Sequence, residues 1–204
     1  MNDWMTFASA EQLGGWVIYP LSVLAVVAIT IVIDRSYVFG RFARTPDTAA
    51  RNAAHGFERL PSRHVFRRLS VPLADRPAAP IWYREAKTEA LAAAIERDMS
   101  RGFWVLETIV TAAPLLGLLG TIVGMMHSFQ LFGGNGLVNP GGVTGGVAQS
   151  LVATAVGLVV ALFSLFAFNY FSRRLERLMD ELESFANERL GEIRLAAEAQ
   201  GAAP

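Results

Sequence analysis

The chain has 204 residues, 52% of them hydrophobic and 18% charged, with 18 Lys and Arg balanced against 18 Asp and Glu. Soluble domains carry roughly 25% charged residues, so this composition excludes an ordinary water-soluble globule. No cysteine is present, which excludes a disulfide scaffold and thiolate metal sites.

The balanced charge hides two populations. No Asp, Glu, Lys or Arg occurs between Glu107 and Arg173. Uncharged apolar runs of about 18 residues or more read as membrane-spanning helices. Residues 1–15 contain Asp3 and Glu11 but no Lys or Arg, so the positive region of a secretory signal is missing. Residues 1–12 therefore read as a short periplasmic N-terminus. The first apolar run reads as a retained anchor.

Transmembrane helix 1 is predicted over residues 13–36. Its run LGGWVIYPLSVLAVVAITIVI reaches about 31 Å at 1.5 Å per residue, the thickness of a hydrocarbon core. Trp16 and Tyr19 stand near one end and Tyr37 near the other, as interfacial aromatics do. Pro20 falls in the first turns, where its missing N–H costs least.

Residues 37–102 form a polar region. Twelve arginines and lysines lie between positions 40 and 103. The stretch RLPSRHVFRRLSVPLADRPAAP carries four prolines and breaks regular structure. From Ile81 the pattern IWYREAKTEALAAAIERDM is rich in helix formers, and this helix is expected to run on into the next span. Transmembrane helix 2 is predicted over 103–132. A turn over 133–142, GGNGLVNPGG, is read from its glycines and proline. Transmembrane helix 3 is predicted over 143–172. No break signal separates it from a helical tail over 173–204, where Leu175, Leu178, Leu182, Phe185, Leu190 and Ile193 make an apolar stripe.

Orientation follows from the basic residues. The N-terminal segment and the 133–142 turn have none, and the tail has five arginines. The positive-inside rule puts the 37–102 region and the tail in the cytoplasm. The sequence thus predicts an all-α fold: three transmembrane helices with long cytoplasmic helical extensions.

Two spans carry faces of small residues. Gly117, Thr121, Gly124 and Ser128 recur in the second at spacings of 4, 3 and 4. Gly146, Ser150, Thr154, Gly157, Ala161 and Ser164 do the same in the third. Residues so spaced share one helix face. Gly120 and Gly124 add a GxxxG pattern of the kind that lets membrane helices approach closely. Simple packing accounts for Gly117, Gly120, Gly124, Gly146, Gly157 and Ala161, with hydroxyls bonded back to the preceding turn. Gln149, Ser150, Thr121 and Thr154 together invite a second reading, a narrow wet path, because an amide in hydrocarbon needs water or a partner.

Other residues take plainer readings. His127 lies near the outer end of the second span and reads as a solvated interfacial histidine before a proton relay. His55 and His64 sit among arginines without ligand spacing, so no metal site is expected. Glu107 reads as an ion-pair partner of a basic residue before an ion-exit guard. The arginine bias is explained by topology, so contact with membrane lipid is expected and nucleic acid is not. No nucleophile–base pair, phosphate loop or cofactor fingerprint is present, so neither an enzyme nor a cofactor is expected.

APLLGLLGTIVGMMHSF (113–129) and AQSLVATAVGLVVAL (148–162) closely resemble the signature helices of the MotA/TolQ/ExbB proton-channel proteins. The shared features are the proline and glycines leading to Gly120-Thr121 and the Ala-Thr-Ala-x-Gly run at 153–157. The likeness spans roughly 80–190, and three spans match ExbB or TolQ rather than the four of MotA. The resemblance implies an inner-membrane homopentamer around an ExbD/TolR-like single-span partner whose span bears an aspartate. It implies that ion flow drives a TonB- or TolA-like rod, and that Thr121 and Thr154 are pore threonines. One departure stands out: many ExbB and TolQ chains have glutamate five residues before the second threonine, where this chain has Gln149. Glutamine bonds in both directions but carries no titrating proton. A flagellar or gliding-type stator shell, or a non-conducting scaffold for a single-span partner, remains as an alternative.

Overall fold

A computed structural model describes residues 15–43, 61–74, 79–130 and 140–201. Every regular element among them is helical. After a short 3-10 turn at Gly15–Val17 come α1 (Ile18–Phe42), α2 (Val65–Ala74), α3 (Ile81–Met99), α4 (Phe103–Gln130) and α5 (Pro140–Gly201). Three helices are long and apolar enough to cross a membrane. The fold is all-α, as the sequence implies.

Helix ends and span ends differ. α1 continues through Asp34-Arg35 to Phe42, because leaving the lipid gives a helix no reason to stop. α5 begins at Pro140, where a ring-locked φ and absent N–H suit the first helical position. The final three residues of the predicted turn are therefore helical, and 131–139 lie outside the described residues. α5 has 62 residues, about 93 Å at 1.5 Å per residue, so its apolar run and charged tail are one uninterrupted helix.

The expected continuity from 81 into the second span is corrected. α3 stops at Met99, Ser100 caps it by donating its N–H to Glu96 O, and Gly102 adopts φ +86°. That left-handed conformation is one that glycine enters at little cost. α4 then starts afresh, with the N–H groups of Val105 and Leu106 both donating to Gly102 O. A Cβ on Gly102 would also lie 3.1 Å from Ile31 Cγ2.

The described residues divide into two compact units. The first takes the chain up to Val32 and Gly102–Asn169. Its core is small: Val17, Leu21 and Ala28 meet Leu106, Ile109, Ala113 and Ala161. Larger side chains point outward, among them Val26, Ile29, Leu118, Phe129, Leu158 and Phe166. Such outward apolar side chains fit helices whose outer faces meet lipid.

The second unit takes Ile33–Arg101 and the chain from Tyr170 on. Here the buried stripe of α5 is bulky: Phe171, Leu175, Leu178, Leu182, Phe185 and Leu190. Phe171 stacks on Phe39 with ring centres 5.7 Å apart, and Phe185 meets Phe66 of α2 edge-on at 5.8 Å. Helices joined by such side chains bury large apolar areas, the usual source of stability in water. Arg35 of α1 is buried here and donates from Nη1 to the carbonyls of Asp98 and Met99, 3.0 and 3.3 Å away. A cation at those carbonyls satisfies orphan acceptors and opposes the negative end of the α3 dipole. His64 is buried in this unit. His55 lies outside the described residues.

Candidate functional site

In the first unit, α4 and α5 run antiparallel with their small faces pressed together. The register is read from glycines and their opposite numbers. A Cβ built on Gly157 would fall 2.5 Å from Ala113 O, and one on Gly117 would fall 2.9 Å from Thr154 Cα. On Gly120 it would meet Ala153 Cβ at 2.8 Å, and on Gly124 Ser150 Cβ at 2.7 Å. Gly146 faces Ser128 in the same way. At Gly157 and Gly117 the obstacle is backbone, so the two main chains touch. Ala161, 7% exposed, continues the face into the core.

This contact determines where the hydroxyls go. Thr154 Oγ1 crosses between helices and donates to Gly117 O at 2.9 Å. Thr121 Oγ1 donates to Leu118 O at 2.7 Å and Ser150 Oγ to Val147 O at 2.8 Å. Ser128 and Ser164 donate to Gly124 O and Val160 O. A hydroxyl has one hydrogen and two lone pairs. With each hydrogen given to a carbonyl, what these five groups still offer is acceptor capacity. Thr121 and Ser150 are 8% and 3% exposed, so the helix pair buries them; Thr154 is half-buried.

Gln149 is also half-buried. It lines a recess of about 390 Å³ together with Trp16, Val17, Gly124, His127 and Ser150. The structure thus brings Gln149 and His127 to one concavity and sends Thr121 and Thr154 to the helix contact. His127 is exposed. Glu107 is exposed too and forms no ion pair among the described residues, and Arg44, Arg51, Arg59 and Arg76 of the basic loop lie outside them. Among the described residues no group of His, Asp and Glu could hold a metal ion.

Two features escaped the sequence pattern. Val17 packs 3.3 Å from where a Gly120 Cβ would stand, which brings the 15–17 turn against the GxxxG. A single residue in a 3-10 turn leaves no periodic trace. The partner of Thr154 was equally hidden, because a threonine in a span ordinarily bonds within its own helix.

Comparison with known proteins bears on this helix pair directly. The profile described as the MotA/TolQ/ExbB proton channel family matches residues 61–184. The putative biopolymer transport protein ExbB-like 1 of Synechocystis is 32% identical over 189 residues, covering 86% of this chain and 74% of that protein. ExbB-like 3 of the same organism is 31% identical over 171 residues, covering 78% and 81%. The biopolymer transport protein ExbB of Aquifex aeolicus is 36% identical over 89 residues, covering 43% and 60%. With three membrane-length helices and a family match that runs across both small-faced spans, the chain belongs to the MotA/TolQ/ExbB proton channel family and is most like ExbB.

Proposed function

We propose that the chain is the channel-shell subunit of an inner-membrane motor driven by the proton-motive force. It forms a homopentamer around an ExbD/TolR-like single-span protein and energises a TonB- or TolA-like protein for envelope transport. The N-terminus is periplasmic and the α5 tail cytoplasmic, as the arginine distribution favours. The observation that carries this reading is the α4–α5 pair: two charge-free spans in backbone contact, with Thr121, Ser150 and Thr154 at the seam and Gln149 beside it. Acceptor-only hydroxyls suit a path for protonated or cationic species and discourage anions. No carboxylate lies between Glu107 and Arg173, so the titrating acid must come from the partner.

One observation favours a second reading. Every hydroxyl hydrogen at the seam is already spent on a carbonyl, as a scaffold without conduction would also arrange. Reconstitution with an ExbD/TolR-like single-span protein separates the two. Proton uptake into liposomes that falls in Thr154→Ala and Gln149→Leu supports the channel. Uptake unchanged in both sinks the pore assignment, and no uptake by the intact complex favours the scaffold.

A further inference from the structure

The recess beside the α4–α5 seam has a direction. His127 and Trp16 are exposed at its rim, Val123 and Gln149 are half-buried along its wall, and Val17 and Ser150 close its floor. Its volume is about 390 Å³, room for about ten waters at roughly 30 Å³ each.

Its polarity argues for water as the occupant. An apolar guest such as a lipid tail would strip water from the Gln149 amide and the His127 imidazole, and burying such groups without hydrogen bonds is costly. Water removes that cost. A glutamine amide offers two donors and an acceptor oxygen, and imidazole and indole N–H groups add more, so waters here find the two to four polar partners that they need.

His127 is the only lining side chain that can carry a charge. Around it, the 15–17 turn has no titratable residue and α1 begins with the phenol of Tyr19. After Glu107, α4 has none but His127, and α5 has none before Tyr170. A charge at the rim therefore meets no opposite charge on the elements that build the recess. We propose that the recess is a water-filled vestibule leading to the α4–α5 seam, and that His127 sets its charge. The vestibule admits cations freely while the imidazole is neutral, and less readily once it holds a second proton. Its use as the entry for a transported proton rests on the channel reading above; the water and the charge do not.

The chain has no cysteine, so single thiols can be introduced without background. The test uses the full chain in nanodiscs, with Gln149→Cys, Val123→Cys and Leu158→Cys as separate variants. Two methanethiosulfonate reagents of similar size are applied, one neutral and one cationic. The thiolate is the reacting form, and it forms where water reaches the sulfur. Leu158 is exposed in the middle of the apolar run of α5 and serves as the lipid-facing control. Gln149→Cys and Val123→Cys should react with the neutral reagent about tenfold faster than Leu158→Cys, or more. Imidazole gains its second proton between about pH 8 and pH 5. Over that range the ratio of cationic to neutral rates should fall about twofold in Gln149→Cys, the effect of a unit charge roughly 8 Å away in water. The ratio cancels the titration of the thiol itself, and it should stay flat when His127→Gln is added. Thiols at both recess positions as slow as the control mean that lipid or protein fills the space, and overturn the proposal. A ratio that never falls, or that still falls with His127→Gln, overturns it too. Labelling reads water and charge whether or not protons cross, so failure of the channel reading would appear in the uptake assay and not here.

Discussion

Thr154 Oγ1 donates across the helix pair to the carbonyl of Gly117, 2.9 Å away, at the point where a Cβ on Gly117 would collide with Thr154 Cα. The two facts have one cause. The hydroxyl can reach that carbonyl only because glycine lets the helices touch, and the bond then fixes their register. Interhelical hydrogen bonds of this kind average about 0.6 kcal/mol and reach about 1.7 kcal/mol in membrane proteins. Thr154→Val, which keeps the shape and removes the donor, should cost about 1 kcal/mol in a reversible unfolding assay in bicelles. Thr154→Ser should recover most of it. If valine is as stable as threonine while serine is destabilising, the bond contributes nothing and the methyl group does.

Glycines that look alike in sequence should behave oppositely. A Cβ on Gly157 meets the backbone oxygen of Ala113, which no rotamer change can move, whereas one on Gly145 meets nothing within 4 Å. Gly157→Ala should destabilise the spans by about 3 kcal/mol, the upper end for overpacking, and reduce proton uptake with it. Gly145→Ala should be neutral or mildly stabilising, as expected for a helical glycine in open space. Comparable losses in both would show that the α4–α5 register is wrong.

How far the sequence carries depends on the periodicity of each element. The stripe from Ser150 through Leu190 repeats every three to four residues without a gap, so one helix through span and tail was legible from residue types alone. Its change of character was legible too. Ser150, Ala153, Gly157 and Ala161 are small, and Phe171, Leu175 and Leu178 are not, so the same stripe meets a close partner first and a wider one later. The break at Ser100–Gly102 was not legible, since one glycine among helix formers is compatible with a continuous helix. The site divides the same way. Spacing placed Gly117 and Gly124 on one face of the second span and Ser150 and Gly157 on one face of the third, but it cannot tell that these faces meet, nor a hydroxyl that lines a path from one that ties two helices.

That break yields its own prediction. Gly102 holds φ +86° and faces Ile31 closely. An L side chain in the left-handed region costs roughly 1–2 kcal/mol, less for asparagine. Gly102→Ala should lower the melting temperature of the purified chain, and Gly102→Asn should lower it by less in spite of its larger side chain. Ile31→Leu in the alanine background, which removes the β-branch and its Cγ2, should return part of the loss by relieving the 3.1 Å contact. The order Asn worse than Ala would mean that crowding, not backbone strain, dominates there.

Arg35 offers the sharpest separation of charge from packing. Its guanidinium donates from Nε to Asp34 Oδ2 at 3.0 Å and from Nη1 to two carbonyls at the end of α3. Its side chain is 10% exposed while that of Asp34 is 57% exposed, so the exposed carboxylate contributes little by itself. The carbonyls matter more: hydrogen bonds from a charged donor contribute about 1.5–3 kcal/mol. Arg35→Met, which keeps the apolar stem, should therefore destabilise the chain by about 2 kcal/mol, and Asp34→Asn by less than about 0.5 kcal/mol. Hydrogen exchange should show the loss locally, as faster exchange in the last turn of α3 with α4 unchanged. Arg35→Lys should rescue only partly, because a single ammonium cannot reach both carbonyls and Asp34 in one fork. If Arg35→Met leaves exchange at Glu96 to Met99 untouched, the end of α3 is held by the Ser100 cap and by Arg68, which bonds Asp98 Oδ2 at 2.8 Å, and Arg35 is a passive filler.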